Sequence, residues 1–125
     1  MNSQKTILIV DDEPLLVETI AFNLENKGFA VLKAFDGESG LAQALELKPH
    51  LMILDVMLPH LSGWDVCRTL RAASTYGKSL PILMLTARGE ARDKEKSMAA
   101  GATDYLLKPF SMQELIQRIQ TLLTN

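Results

Sequence analysis

The stretch "LMILDVMLP", residues 51 to 59, decides the fold because it places a charge at the end of an apolar run. Residues 51 to 54 are strongly apolar, and a run of this length is typical of a strand buried on both faces. A carboxylate is costly to bury without a partner. We therefore expect a central strand whose last residue, Asp55, lies at the open edge of a sheet.

Four further runs have the length of strands, and the segments between them have helical periodicity. These runs are "TILIV" (6–10), "AVLKAF" (30–35), "PILMLT" (81–86) and "DYLLK" (104–108). Five strands alternating with five helices predict the α/β class, with a single doubly wound parallel sheet covered by helices on both faces. We expect the 125 residues to form one domain, 1–125, with no second module.

Composition excludes several classes of protein. The formal net charge of −2 gives no electrostatic footprint for direct nucleic-acid binding by this chain. The apolar runs are too short to cross a membrane, and the first residues do not read as a signal peptide. One cysteine cannot form an internal disulfide, so a reducing cytoplasm is the simplest expected location.

The last two predicted helices differ in how well they can be anchored. From Met112 to Leu123 the last helix has a regular apolar stripe, and Ser111 with Glu114 forms a capping-box pattern at its start. The helix between the fourth and fifth strands has only Ala91, Met98 and a few alanines to make an apolar face. We expect it to be the least firmly anchored helix of the fold.

Polar side chains follow the predicted strands at the point where each strand ends. In sheets of this kind, ligands bind beyond the carboxyl ends of the strands. A single acid there is more often a turn-former or a helix cap, but the convergence of three carboxylates, a hydroxyl and an ammonium on one edge weakens that interpretation. The five residues are Asp11, Asp12, Asp55, Thr86 and Lys108.

The clustered carboxylates predict a cation. Two like charges about 4 Å apart repel by about 4 kcal/mol at an effective dielectric constant near 20, so three acids would raise one another's pKa. Oxygen donors without enough nearby Cys or His favour Mg²⁺, with Mn²⁺ as the alternative, over Zn²⁺. Since Mg²⁺ usually leaves coordination positions for water and phosphate, the site is typical of phosphoryl chemistry.

Four motifs in order resemble the receiver domain of two-component response regulators, from about Lys5 to Leu123. They are "ILIVDDEP", "LMILDVMLPHLSGWD", "PILMLTAR" and "GATDYLLKPF". The resemblance implies a flavodoxin-like sheet of strand order 2-1-3-4-5. It also implies a cis Lys108–Pro109 bond, although only about 5 to 6% of such bonds are cis in folded proteins.

The resemblance also implies a role for each residue at the strand ends. Asp55 would accept a phosphoryl group from a phosphohistidine of a sensor histidine kinase or a histidine phosphotransfer protein. Asp11, Asp12, Asp55 and the backbone carbonyl of Met57 would hold Mg²⁺, while Lys108, the hydroxyl of Thr86 and the amide of Ala87 would bind phosphoryl oxygens. Such a protein dephosphorylates itself slowly but turns over no external substrate, so no enzyme activity is expected beyond this self-modification.

Thr86 and Tyr105 would form a switch that changes the surface made by the helix before the fifth strand, that strand and the last helix. Among receivers, the sequence is most similar to those of winged-helix transcriptional regulators, which often form homodimers through this surface. Asp104 and Arg118 match the charged pair expected there. Thr103 and Glu95 depart from the pattern, since that subfamily usually has an acid and an apolar residue at these positions.

Two other functions are compatible with parts of the sequence. An Asp-nucleophile phosphatase has a similar core, but it needs a second acid two residues after the nucleophile, where this chain has Met57. A degenerate receiver would act only as a binding module. The intact set of three acids, Thr86 and Lys108 argues against that alternative.

Overall fold

The structure is a computed structural model that describes residues 4–87 and 91–124. Within these residues, five parallel strands form one sheet in the order β2-β1-β3-β4-β5, so the predicted α/β class and strand order are confirmed. The strands are β1 (Thr6–Val10), β2 (Ala30–Ala34), β3 (Leu51–Asp55), β4 (Ile82–Ala87) and β5 (Asp104–Lys108).

The described residues contain six helices, one more than predicted. They are α1 (Pro14–Asn26), α2 (Gly37–Leu47), α3 (Gly63–Ala73), α4 (Thr75–Ser79), α5 (Ala91–Ala99) and α6 (Met112–Thr124). The prediction missed α4 because five residues are too few to show an apolar stripe. It begins at a cap instead: the backbone N–H of Gly77 donates to the Ser74 hydroxyl at 3.0 Å.

Alternate residues of β3 enter two separate cores, one on each face of the sheet. Leu51 and Ile53 pack in the core that α1 and α6 cover. Met52 and Leu54 pack in the other core, which contains buried residues of α2 and α3 together with Ala100 and Ala102. All four of these strand residues are fully buried, which explains the continuous apolar run in the sequence.

Helix α6 is anchored as the sequence predicts. Its Leu115 and Ile119 are fully buried. The capping box is formed, because the Glu114 N–H donates to the Ser111 hydroxyl at 3.0 Å and the Ser111 N–H donates to the Glu114 carboxylate at 3.2 Å.

Helix α5 differs from the prediction in the residue that it buries. Met98 is 44% exposed, so its assignment to the apolar face is wrong, whereas Ser97 is fully buried. The side chain of Ala91 lies outside the described residues. Of the other alanines expected on the apolar face, Ala100, just after the helix, is buried, whereas Ala99 is exposed. Helix α5 therefore buries a hydroxyl and leaves a thioether largely exposed.

None of the helices in the described ranges has the length and the apolar character needed to cross a membrane.

Candidate functional site

Three carboxylates meet at the carboxyl edge of the sheet. Asp11 follows β1 directly, Asp55 ends β3, and Asp12 lies beside them. One oxygen from each of these residues lies within 4.8 Å of the others. Asp11 is fully buried and Asp55 is 5% exposed, while Asp12 faces solvent. The acid cluster predicted from the strand ends is therefore present.

Backbone contacts fix the orientation of Asp11. Its N–H donates to the Ala34 carbonyl at 3.2 Å, which extends the pairing of β1 with β2 by one residue. Its Oδ1 accepts a hydrogen bond from the Glu13 N–H at 3.0 Å. The other oxygen, Oδ2, is then directed at the Lys108 ammonium, 2.9 Å away.

Lys108, the last residue of β5, contacts three acids at once. Its Nζ lies 2.9 Å from Asp11, 3.3 Å from Asp55 and 3.3 Å from Glu13. Burial alone would lower the pKa of Lys108, but the hydrogen bond to Asp11 and the charge of Asp55 outweigh it and raise the pKa above its usual value. Lys108 is therefore a fixed positive charge next to Asp55, and the Lys108–Pro109 bond that follows is cis, as the resemblance implies.

Asp55 lies in a confined position. The N–H of the next residue, Val56, donates to the Leu85 carbonyl at 3.1 Å, so the ladder between β3 and β4 continues past the carboxylate. On the other side, Gly63 begins α3 directly against this backbone. A Cβ atom at Gly63 would lie 2.2 Å from the Asp55 carbonyl oxygen, so only glycine fits there.

The electrostatic environment of Asp55 favours its neutral form. Burial is the largest cause, and together with the charges of Asp11 and Asp12 it raises the pKa of Asp55 from 3.8 to about 6, which Lys108 offsets only in part. The protein alone therefore leaves this site short of positive charge. A divalent cation would supply it.

Thr86 gives the site an unpaired hydroxyl. The residue is 1% exposed, and its Oγ1 has no hydrogen-bond partner among the described residues. A buried hydroxyl without a partner usually costs about 1–3 kcal/mol. Ala87 follows Thr86 at the end of β4 and is exposed. An orphan donor at the carboxyl edge is typical of a site that binds an oxyanion.

Tyr105 and the predicted dimer residues lie on β5 and α6, outside the acid cluster. Tyr105 is half-buried, and the ammonium of Lys94 in α5 lies 5.0 Å from its ring centre. Arg118 donates to the Asp104 carboxylate at 3.1 Å and to the Tyr105 carbonyl at 2.7 Å. Asp104 and Arg118 therefore pair with each other within one chain.

Sequence reasoning missed two residues of the site. Glu13 shares Lys108 with the predicted acids, and Gly63 allows α3 to start against Asp55. The signal for Glu13 was its place directly after the acid pair. Gly63 gave no signal of this kind, because a glycine before a helix is also a common turn residue.

The donor set fits Mg²⁺. It consists of carboxylate oxygens, and one of these carboxylates, Asp55, has a pKa raised by burial and by the neighbouring acids. Mg²⁺ also accepts backbone carbonyl oxygens, and Met57 follows Asp55 by two residues. Mn²⁺ has the same preference for oxygen donors.

A doubly wound parallel sheet with acids, a lysine and an orphan hydroxyl at its carboxyl edge has the groups that suit a hard cation beside an oxyanion. Residues 7–120 match the model of the response regulator receiver domain, and the chain belongs to this family. The predicted resemblance to the receiver domain of two-component response regulators is thereby confirmed, and the strand order confirms the expected flavodoxin-like fold.

Among its relatives are two transcriptional regulators. The chain is 44% identical over 117 residues to the DNA-binding dual master transcriptional regulator RpaA of Synechocystis, covering 94% of this chain and 48% of RpaA. It is 46% identical over 119 residues to the alkaline phosphatase synthesis regulator PhoP of Bacillus subtilis, covering 95% and 48%. The chain thus spans about half the length of these relatives.

Solved structures agree with this assignment. A response regulator from Chloroflexus aurantiacus superposes with a TM-score of 0.93 at 40% identity, covering 98% of this chain and all of that one. The receiver domain of a sensor histidine kinase from Pseudomonas aeruginosa gives a TM-score of 0.90 at 32% identity, covering 98% and 100%. That protein has a magnesium ion coordinated in its active-site cleft.

Proposed function

We propose that Asp55 is the residue that accepts the phosphoryl group in this receiver domain. The observation that carries this proposal is the position of Asp55: a nearly buried carboxylate 3.3 Å from the Lys108 ammonium, at the same sheet edge as the orphan hydroxyl of Thr86. Phosphoryl transfer depends mainly on positioning and on stabilisation of charge, and this arrangement supplies both.

In the proposed step, an Asp55 carboxylate oxygen attacks phosphorus. The P–O bond forms as the P–N bond to the donor imidazole breaks, and the imidazole nitrogen leaves with the electron pair and takes up a proton. Lys108 stabilises one phosphoryl oxygen, while the Thr86 hydroxyl and the Ala87 amide donate to others. Asp55 has to be ionised to attack, which its pKa of about 6 allows at neutral pH.

Asp11, Asp12, Asp55 and the backbone carbonyl of Met57 would hold Mg²⁺. When bound, the ion supplies positive charge that offsets both the acid cluster and the incoming phosphoryl group. The exposed Asp12 leaves one side of the cluster open to solvent, and the ion could enter there. The side chain of Met57 is 70% exposed and takes no part in this set.

The donor would be a sensor histidine kinase or a histidine phosphotransfer protein, in keeping with the family. We propose that binding of the Thr86 hydroxyl to the phosphoryl group lets Tyr105 move, and that this changes the surface of α5, β5 and α6. Homodimerisation through this surface would place Asp104 and Arg118 at the interface. Their existing pair within the chain is partly exposed and would then have to exchange partners, at a gain of only about 0–1 kcal/mol.

The test is mass spectrometry after incubation with a small phosphodonor and Mg²⁺. We expect the protein to gain one phosphoryl group, and Asp55→Asn to gain none. The exposed Glu46 of α2 provides a control, because Glu46→Gln should leave phosphorylation unchanged. Equal phosphorylation of the Asp55→Asn variant would contradict the assignment.

The metal is tested separately by thermal unfolding. Mg²⁺ that binds the folded protein alone should stabilise it by about 2.7 kcal/mol at a hundredfold excess over its dissociation constant. Asp12→Asn should reduce this gain, and Ca²⁺, which prefers more ligands and longer bonds, offers a comparison ion. An identical melting temperature with and without Mg²⁺ at every concentration would exclude a specific site.

A further inference from the structure

Helix α5 makes a polar contact with α3 through Ser97. Among residues 92–99, the part of α5 whose side chains are described, Ser97 alone is buried. Its hydroxyl accepts a hydrogen bond from the Trp64 indole N–H at 3.1 Å. Trp64 is the second residue of α3 and packs against the core on that face of the sheet.

Two lysines of α5 add contacts on either side of this hydrogen bond. The Lys96 ammonium lies 5.0 Å from the Trp64 ring centre, and the Lys94 ammonium lies 5.0 Å from the ring centre of Tyr105. Exposed cation–π contacts are individually weak. Helix α5 packs on β4 and β5, and residues 92–99 add polar contacts to α3 and β5 where a buried apolar stripe would otherwise lie.

On the α3 side of the Trp64–Ser97 hydrogen bond, the residue before Trp64 contacts the backbone of Asp55. Gly63, the residue before Trp64, packs so closely that a Cβ would meet the Asp55 carbonyl oxygen, and its N–H donates to the Val56 carbonyl at 2.9 Å. The backbone of the phosphoacceptor, the first turn of α3 and the buried hydroxyl of α5 are thus joined by consecutive close contacts. A close-packed chain of this kind transmits small displacements because it has no free volume to absorb them.

We propose that the Trp64–Ser97 hydrogen bond is a latch that couples the backbone at Asp55 to helix α5. This coupling is separate from the one through Thr86 and Tyr105, and it rests on the proposed phosphorylation of Asp55. The latch holds α5 in place in the unphosphorylated protein, and its geometry changes when the segment after Asp55 adjusts to the phosphoryl group. The latch thereby determines how much the structure of α5 changes when Asp55 is phosphorylated.

Hydrogen exchange of the amides of residues 92–99 tests the latch in the protein without phosphodonor. Ser97→Ala and Trp64→Phe each remove one partner and keep most of the packing. We expect each to speed exchange in α5 about 2- to 10-fold, the range for a lost hydrogen bond. The double variant should exchange no faster than the faster single variant, since both remove the same contact. Additive effects would overturn the latch.

The same measurement after phosphorylation tests the coupling. In the wild-type protein we expect exchange in α5 to change at least about twofold, and in Ser97→Ala we expect less than half of that change. A purely structural role would shift exchange in both states and keep the full difference, which would overturn the coupling. Ser79→Ala in α4, remote from α5 in the chain, is the matched control and should keep the wild-type difference.

Fluorescence gives a second readout, since Trp64 is the only tryptophan of the chain. Phosphorylation should change its emission in the wild-type protein, and Ser97→Ala should remove most of that change. Mass spectrometry of the same samples separates the two proposals. Absence of phosphorylation in the wild type would overturn the proposed function, whereas normal phosphorylation with an unaltered α5 response in Ser97→Ala would overturn the latch alone.

Discussion

Strand β3 contains two opposite environments one residue apart. Residues 51 to 54 are fully buried, and their side chains alternate between the two cores. Asp55, the next residue, is almost as buried, yet it faces two other acids, and burial raises its pKa to about 6. Burial of the apolar side chains in the interior of the strand stabilises the fold, whereas burial of the Asp55 carboxylate at its carboxyl end destabilises it.

The difference explains how this fold can hold a reactive group. The apolar residues of β3 make the centre of the sheet rigid, and that rigidity keeps Asp55 close to Asp11 although their charges repel each other. The site is thus maintained by stability generated elsewhere in the fold. Substitutions in the interior and at the edge should therefore change stability in opposite directions.

The largest effect is expected in the interior. Ile53→Ala removes a fully buried side chain from the core beneath α1 and α6, and it should destabilise the protein by about 2–5 kcal/mol. Urea unfolding measures this change. Leu15→Ala is the control, because Leu15 is 81% exposed, and the loss there should stay within about 0.5 kcal/mol. A loss below about 1 kcal/mol at Ile53 would show that the interior of β3 is not the source of rigidity.

At Asp55 we expect a substitution that removes the charge to increase the stability of the protein. A pKa raised from 3.8 to about 6 means that the folded protein prefers protonated Asp55. This preference is fully present below about pH 3.8 and is lost as pH rises through about 6, at about 1.36 kcal/mol per pH unit. Without divalent metal at about pH 7.5, Asp55→Asn should therefore stabilise the protein by about 1–3 kcal/mol.

Urea unfolding of both proteins in EDTA, at several values between about pH 4 and 7.5, measures this difference. The advantage of Asp55→Asn should shrink toward zero at the acidic end. Glu46→Gln on α2 is the control, because that exposed carboxylate lies outside the acid cluster. If Asp55→Asn destabilised the protein near neutral pH, the edge would not be strained by the charge of Asp55.

The buried strands of the sheet were predictable from the sequence, and so was the position of the acid cluster at its carboxyl edge. Apolar runs identify buried strands, and parallel connections bring the carboxyl ends of those strands to one edge, which places Asp11, Asp55 and Lys108 together without any knowledge of side-chain geometry. Glu13 was missed because its contact with Lys108 depends on where an exposed side chain turns. Strand-end topology does not determine that direction.

Helix α5 shows the limit of periodicity. Met98 is more apolar than Ser97 and was expected to face inward, but Ser97 is buried because its hydroxyl has a partner in Trp64, 33 residues earlier in the chain. A weakly apolar helix can be oriented by one long-range hydrogen bond, and hydrophobic patterning contains no information about such a bond. The short α4 was missed for a related reason, since its cap at Ser74 is local but its length is below that of any detectable pattern.

The smallest change in stability is expected for the hydroxyl of Thr86. Two matched substitutions, one near each end of β4, test it. Thr86→Val replaces an unpartnered buried hydroxyl with a methyl group of similar size, so it should stabilise the protein by about 1 kcal/mol while weakening phosphorylation of Asp55. Thr103→Val makes the same change near the amino end of β4, where the hydroxyl accepts hydrogen bonds from the Ile82 N–H at 3.0 Å and from Arg71 at 3.3 Å. It should destabilise the protein by about 1–3 kcal/mol and leave phosphorylation intact. Urea unfolding measures the stability of the two variants, and mass spectrometry measures their phosphorylation. A loss of stability in Thr86→Val would mean that the Thr86 hydroxyl stabilises the fold and is not an unpaired donor available to an oxyanion.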